Sequence, residues 1–177
     1  MCNLLLDIGT LFSIIQKLKN ANFNIIKRKI VKIFSKSSFI NCTLDELFAF
    51  HMNVNNIKKI TPSNIKVELL DHDTRKFECR IHNIRTTKYF IPFHWKIKID
   101  KKEKPNILVD CAVQSPFKVW CHQHIFTQKG NVCELKDVIE YEIGYGVLGK
   151  IVSPFVEYEL NSIFDYRHIQ TKKILEK

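Results

Sequence analysis

The sequence predicts an α+β fold, on three observations. From Ile65 to Ile143 the chain reads as successive strands joined by short turns with no helix between them, so the sheet is expected to be antiparallel. A short helical segment precedes this meander, and a long one, Val147 to about Leu175, comes after it. At 177 residues, 45% hydrophobic and 26% charged, the chain is long enough for one domain with a real core and has the composition of an ordinary soluble globular protein.

Residues 1–29 come first. Leu4, Ile8, Leu11, Ile15 and Leu18 fall at helical spacing, with Leu5 and Phe12 widening the stripe, which reads as a short amphipathic helix. The start lacks a positive n-region and Asp7 interrupts the apolar run, so a signal peptide is not expected. No run of about 18 apolar residues occurs, so neither is a spanning helix. The expectation is an extension of little consequence packed on the domain or upstream of it. The competing reading is a membrane-surface helix, with Lys17, Lys19, Lys27, Arg28 and Lys29 toward anionic headgroups.

Ile30–Ile40 alternates in part and predicts a first strand. Thr43-Leu-Asp-Glu46 is a capping box that opens a helix through Leu44, Leu47, Phe48 and His51, and the helix is broken by Asn55-Asn56 and Pro62. His51 reads as a structural histidine. Strands are expected over Ile65–Leu69, Phe77–Ile84, Tyr89–Ile99 and Ile107–Val113, with a turn at Asp71–Thr74 and a charged loop at Asp100–Pro105.

Pro116–Tyr141 is the most informative stretch. Two runs rich in β-branched and aromatic residues flank a polar segment carrying Gly130, which predicts a hairpin. Trp120, His122, His124 and Phe126 share one face at period two, as do Cys133, Leu135, Asp137, Ile139 and Tyr141 on the return strand. A face that mixes aromatics with two imidazoles and a carboxylate suggests a cavity wall. A three-residue loop with Gly130 in a bulge pairs His122 with Lys136 and turns both histidines outward. A two-residue turn at Lys129-Gly130, or a four-residue loop, sets His122 opposite Asp137, His124 opposite Leu135 and Trp120 opposite Ile139. The second register is preferred because it leaves Glu134, Lys136, Glu140 and Glu142 for solvent, although it puts Val119, Cys121 and Ile125 on the outer face.

Gly144, Gly146 and Gly149 loosen the backbone before the last helix, and Gly146-Val-Leu-Gly149 lacks the order of a phosphate loop. In the helix, Val156, Leu160, Ile163 and Phe164 form a stripe, Arg167 lies one turn beyond, and Pro154 is expected to kink the start.

Asp110, Pro116-Phe117, Trp120-x-His122-x-His124-x-Phe126, Asp137, Tyr141, Gly146-x-x-Gly149 and Ile163-Phe164-x-Tyr166-Arg167 together resemble the SRPBCC ligand-binding proteins of the START and birch-pollen-allergen superfamily, which includes polyketide cyclase/dehydrase-like members. Phe50-His51, Asn56, Ile57 and Ile60-Thr61-Pro62 resemble that family's first helical segment. The resemblance covers residues 30–177 and leaves 1–29 as an extension. It implies the helix-grip fold, in which a curved antiparallel sheet wraps around a long C-terminal helix and leaves an internal cavity.

The first function expected is binding of a small hydrophobic ligand (a lipid, quinone or polyketide-like compound) by a carrier or sensor, at Trp120, His122, His124, Phe126, Leu135, Asp137, Ile139, Tyr141 and Phe164. The alternative is a cyclase or dehydratase-type enzyme, with His122 as general acid or base and Asp137 orienting it. No activated nucleophile, metal cluster or cofactor signature accompanies the pair, so no metal or cofactor is expected. The formal charge of +10 keeps a third class open, nucleic-acid binding, but no recognition motif accompanies it and no specific nucleic acid is expected as a partner. Contact with an anionic membrane surface rests on the terminal stripe alone. The six cysteines, at 2, 42, 79, 111, 121 and 133, show no C-x-x-C pair and no zinc spacing. They read as reduced thiols of a cytoplasmic protein.

Overall fold

The computed structural model describes residues 31–70, 81–144 and 146–176. These lie in one compact unit, Val31–Lys177. The predicted terminal helix, the Asp71–Thr74 turn and the start of the strand expected at Phe77 lie outside the described residues. The elements run β1 (Lys32–Ile40), α1 (Leu44–Met52), a 3-10 turn (Val54–Lys58), β2 (Lys66–Leu69), β3 (Ile81–Lys88), β4 (Ile91–Glu103), β5 (Ile107–Gln114), β6 (Val119–Lys129), β7 (Val132–Glu142) and α2 (Gly146–Leu175). The seven strands form one antiparallel sheet in the order β1-β7-β6-β5-β4-β3-β2, and with the long C-terminal helix this is the helix-grip α+β fold.

Local chemistry accounts for the elements that carry the site. Thr43 Oγ1 accepts from the Glu46 backbone N–H at 3.2 Å while the Glu46 carboxylate accepts from the Thr43 backbone N–H at 2.9 Å, so the expected capping box starts α1. Leu47, Phe48 and Phe50 are the buried face of α1, and Phe48 meets the Phe126 ring of β6 edge-on at 5.9 Å. Helix α2 packs on β1 and β7. Phe164 lies 5.3 Å from the Phe34 ring and joins Leu160, Ile139 and Tyr141 in one core cluster. A second cluster, Ile40, Leu47, Phe48, Leu108, Phe126, Cys133 and Leu135, lies under α1. Pro154 sits inside α2.

Four expectations are corrected. The β6–β7 hairpin closes with Lys129 opposite Val132, so its two-residue turn is Gly130-Asn131, one position later than the expected Lys129-Gly130. The register therefore moves by two residues: His122 lies opposite Ile139, His124 opposite Asp137 and Trp120 opposite Tyr141. Gly130 takes φ 61° while Asn131 does not enter the left-handed region, the pattern of a turn that needs glycine first. A shift of two keeps the faces, so the histidines still point inward.

The charged loop expected at Asp100–Pro105 is mostly strand. Lys101, Lys102 and Glu103 pair with Val109, Leu108 and Ile107 past an irregularity at Ile99, and solvent on both sides of this strand end accommodates their charge. Tyr89, expected in a strand, instead forms with Phe90 the turn joining β3 and β4, with φ of 52° and 64°.

The thiols are not all reduced: Cys111 and Cys121 form a disulfide. They are direct partners across β5 and β6 with Cα atoms 4.1 Å apart, a pairing that sequence spacing cannot reveal. Both lie on the face opposite Asp110 and His122, which gives Cys121 its reason to face outward. Cys42 and Cys133 are free, and burial pushes the Cys42 thiol up to about 12 and Cys133 upward. No described helix is long and apolar enough to cross a membrane.

Candidate functional site

Strand pairing assembles the polar part of the site. Asp110 of β5 is the register partner of His122 on β6, and Asp137 of β7 is the partner of His124. Period two brings His122 and His124 to the same face, with ring centroids 3.9 Å apart. Each imidazole then spans two carboxylates. His122 Nε2 lies 3.0 Å and His124 Nδ1 2.7 Å from Asp137 Oδ1. On their other sides, His124 Nε2 lies 3.3 Å and His122 Nδ1 4.0 Å from Asp110 Oδ2. The two approaches to Asp137 Oδ1 are ion-pair distances without hydrogen-bond angles, whereas the His124–Asp110 contact is a hydrogen bond.

A third histidine completes the arrangement. His168 Nε2 donates to Asp137 Oδ2 at 2.9 Å, and its Nδ1 is 2.8 Å from the Ser38 hydroxyl of β1. Helix α2 and strands β1 and β7 are thereby tied through one buried carboxylate, Asp137, which is 2% exposed. His51 of α1 closes the cluster from above. Its Nδ1 hydrogen-bonds the Leu47 carbonyl oxygen at 2.9 Å, and its ring lies 5.0 Å from His124 and 5.1 Å from Phe126.

Electrostatics divides the imidazoles. Burial opposes charge on His124, but the Asp137 field and the hydrogen bond to Asp110 override it and raise its pKa to about 9. For His122 burial prevails, reinforced by the charge on His124, and its pKa is lowered. Burial also drives His51 down, to about 3. Burial favours the neutral acid at Asp137 and Asp110, yet the imidazoles prevail: Asp137 falls well below the ordinary range and Asp110 is lowered too. His124 is thereby the imidazole that favours the proton and His122 the one beside it that disfavours it, and their titrations are coupled.

A cavity of about 450 Å³ lies against this cluster. His51, Asp110, His122, His124 and Arg167 supply its polar side, while Trp95, Phe117, Trp120, Leu160, Ile163 and Phe164 are part of its mostly apolar lining. The Arg167 guanidinium lies 5.0 Å over the Phe164 ring. Among the described residues no carboxylate comes within ion-pair distance of it. Burial lowers its pKa, against the fields of Asp137 and Asp110. The cavity reaches solvent where exposed Tyr89 and Phe155 line it, with rings 6.4 Å apart. There Glu159 pairs with Lys88 and accepts the Tyr89 hydroxyl at 3.0 Å.

Of the residues expected to bind a ligand, Trp120, His122, His124 and Phe164 line the cavity. Phe126, Leu135, Ile139 and Tyr141 pack into the two core clusters, and Asp137 sits behind the histidines. The reason is the sheet order: β7 lies between β1 and β6 under the helices, so its inward side chains meet α1 and α2. The expected His122–Asp137 contact exists, but His124 is the register partner.

Sequence reasoning missed His168, Asp110 as a site residue, and His51 as a cavity residue. His168 continues the Leu160–Phe164 spacing by one further turn, and Asp110 is two residues from buried Leu108 on an alternating strand, so both signals were present. Asp110, His122 and His124 each bring one potential metal-ligand atom within 4.8 Å of the others.

No protein-family model matches the sequence, and no curated protein matches it. Solved structures do share the fold. The di-domain ARO/CYC StfQ from the steffimycin biosynthetic pathway superposes with a TM-score of 0.67 at 12% identity, over 98% of this chain and 62% of that one. A START superfamily protein from Mycobacterium smegmatis gives 0.61 at 11% identity, over 81% and 96%. Ara h 8.0201 gives 0.52 at 14% identity, over 78% and 95%. The fold is SRPBCC/START-like, as the sequence motifs implied.

Proposed function

We propose that this chain binds a small, largely apolar molecule in its cavity, as a carrier or sensor, with the imidazole and guanidinium side orienting the molecule's polar end. The observation that carries the reading is the cavity: about 450 Å³, mostly apolar, with His51, Asp110, His122, His124 and Arg167 among its few polar groups. That volume is in the range of sites for small organic ligands, in which apolar burial supplies affinity and a few polar groups supply orientation. Imidazolium at His124 and the unpaired guanidinium of Arg167 both favour an oxygen acceptor at that end of the ligand. START-like neighbours support a ligand-binding role, and nothing in the likeness names the ligand.

A second reading has its own observation. His122 is the imidazole whose pKa is lowered; it lines the cavity and is backed by Asp137, the arrangement a general base needs. The ARO/CYC neighbours make a cyclase or dehydratase the reaction class to assay.

Both tryptophans of the chain, Trp95 and Trp120, line the cavity and lie 5.3 Å apart, so tryptophan emission reports its occupancy. An environment-sensitive apolar dye should quench this emission and be displaced by a lipophile. Trp120→Ala should weaken dye binding about tenfold. Lys118→Ala, an exposed residue paired with Glu142, should change it less than about twofold. Equal, negligible effects of the two changes would refute the cavity as the binding site.

A further inference from the structure

Asp137 holds the rear nitrogens of His122 and His124, and the front nitrogens of both rings turn toward a single oxygen, Asp110 Oδ2. That oxygen hydrogen-bonds His124 at 3.3 Å, whereas His122 Nδ1 stops 4.0 Å short. Three potential ligand atoms of two kinds therefore lie within 4.8 Å of one another at the cavity wall, held from behind by a carboxylate that His168 fixes in turn.

We propose that Asp110, His122 and His124 bind a divalent transition-metal ion of the zinc type, with Asp137 as the positioning residue that orients both imidazoles. In a tetrahedral site with metal–ligand bonds of about 2.0–2.1 Å, neighbouring ligand atoms lie roughly 3.4 Å apart. The Asp110–His124 separation, 3.3 Å, already has this length, Asp110–His122 is 4.0 Å, and all three ligand atoms lie within 4.8 Å of one another, so binding requires a modest contraction. A buried carboxylate behind each ligating imidazole is the support that such sites use to fix ring orientation and raise ligand basicity.

The donor set decides the class of ion. Two imidazole nitrogens with one carboxylate oxygen suit zinc, cobalt or ferrous iron, while magnesium and calcium take mainly oxygen ligands. Once the ion displaces the proton of His124, as ligation requires, Asp110 and Asp137 against Arg167 leave one net negative charge for it to meet. Three protein ligands leave a coordination position open, and here it faces the cavity. A water or a ligand oxygen can fill it. Metal binding is measured without any lipophile, so its failure and the failure of the apolar-ligand reading are separate outcomes.

The experiment uses the full chain, stripped with a chelator and titrated with cobalt(II). One equivalent should bind with micromolar or tighter affinity and give visible d–d bands of a nitrogen/oxygen site, and zinc should displace it. Asp110→Asn, which keeps the side-chain volume, and His124→Gln should each weaken binding at least a hundredfold. Asp137→Asn should weaken it tenfold to a hundredfold. Far-UV circular dichroism checks that each variant folds. If the variants unfold, the wild type decides by NMR, where zinc should shift the ring signals of His122 and His124. Absence of binding below about 100 μM, a thiolate charge-transfer band from Cys42 or Cys133, unchanged affinity in folded Asp110→Asn, or zinc shifts confined to other histidines would each overturn the proposal.

Discussion

At one side of the cavity, Asp137 sits behind the lining within ion-pair reach of three imidazoles; at the other, Trp95, Phe117 and Trp120 meet one another as rings, 4.8–6.0 Å apart. The polar side is a network in which each group depends on its neighbours' protonation, so its members are worth more together than singly. The aromatic side is a set of nearly independent contacts, each contributing about 0.5–1.5 kcal/mol beyond its buried area. The first fixes direction. The second supplies surface with little directional preference, as a wall against an apolar molecule should. Under the proposed ligand-binding function, orientation and affinity would fall to different strands: β5 and the middle of β6 for one, and β4 with the start of β6 for the other.

The largest effect should come from the centre of the network. Asp137→Asn removes the charge that holds one imidazolium in a buried site and should lower stability by about 3 kcal/mol, read from urea unfolding. His124, the register partner, should show the largest fall in pKa in histidine-resolved NMR titrations. An unchanged His124 curve would mean that Asp110, not Asp137, holds the proton, and the comparison would have to be redrawn around β5.

A smaller effect is expected from pH. The folded-state pKa of His124, about 9, exceeds its unfolded value of about 6.5, so its contribution is complete below the unfolded value and is lost as pH rises through 9. His51, at about 3, behaves in the opposite sense: its contribution is complete above about 6.5 and is lost as pH falls toward 3. Stability should therefore peak near pH 6.5 and fall by up to roughly 3 kcal/mol on the alkaline side. Urea midpoints between pH 5 and pH 9.5 test this, and a flat alkaline limb would show that the proton is not held by the cluster.

The smallest effect is expected at the aromatic side. Phe117→Leu removes ring contacts to Trp95, Trp120 and Tyr141 and should cost about 1 kcal/mol, with the pH profile unchanged. A change in the profile would show that the two sides are coupled after all.

Much of this architecture is legible in the sequence because periodicity writes it locally. The Thr43–Glu46 capping box, the uninterrupted meander and the inward alternation of His122, His124 and Asp137 need only spacing and residue type. The exact partner does not emerge that way. Lys129-Gly130 and Gly130-Asn131 are both acceptable turns, and choosing between them depends on the left-handed φ of Gly130. His168, Ser38 and the Cys111–Cys121 link lie further out of reach, since each depends on elements brought together by the finished sheet. The ligand-facing set is overestimated for the same reason: an inward side chain on β7 meets a helix, and the sequence of β7 alone cannot say so.

At the cavity opening, both residues of the Tyr89-Phe90 turn hold left-handed backbone angles that cost an ordinary L-residue about 1–2 kcal/mol, and glycine or asparagine would relieve most of that. Phe90 is also fully exposed, so its ring returns nothing to folding. Against a domain stability on the order of 5–15 kcal/mol, this is a substantial share to leave uncollected in two adjacent residues. The cost of this turn beside the cavity-lining Tyr89 has to be met by packing elsewhere in the domain.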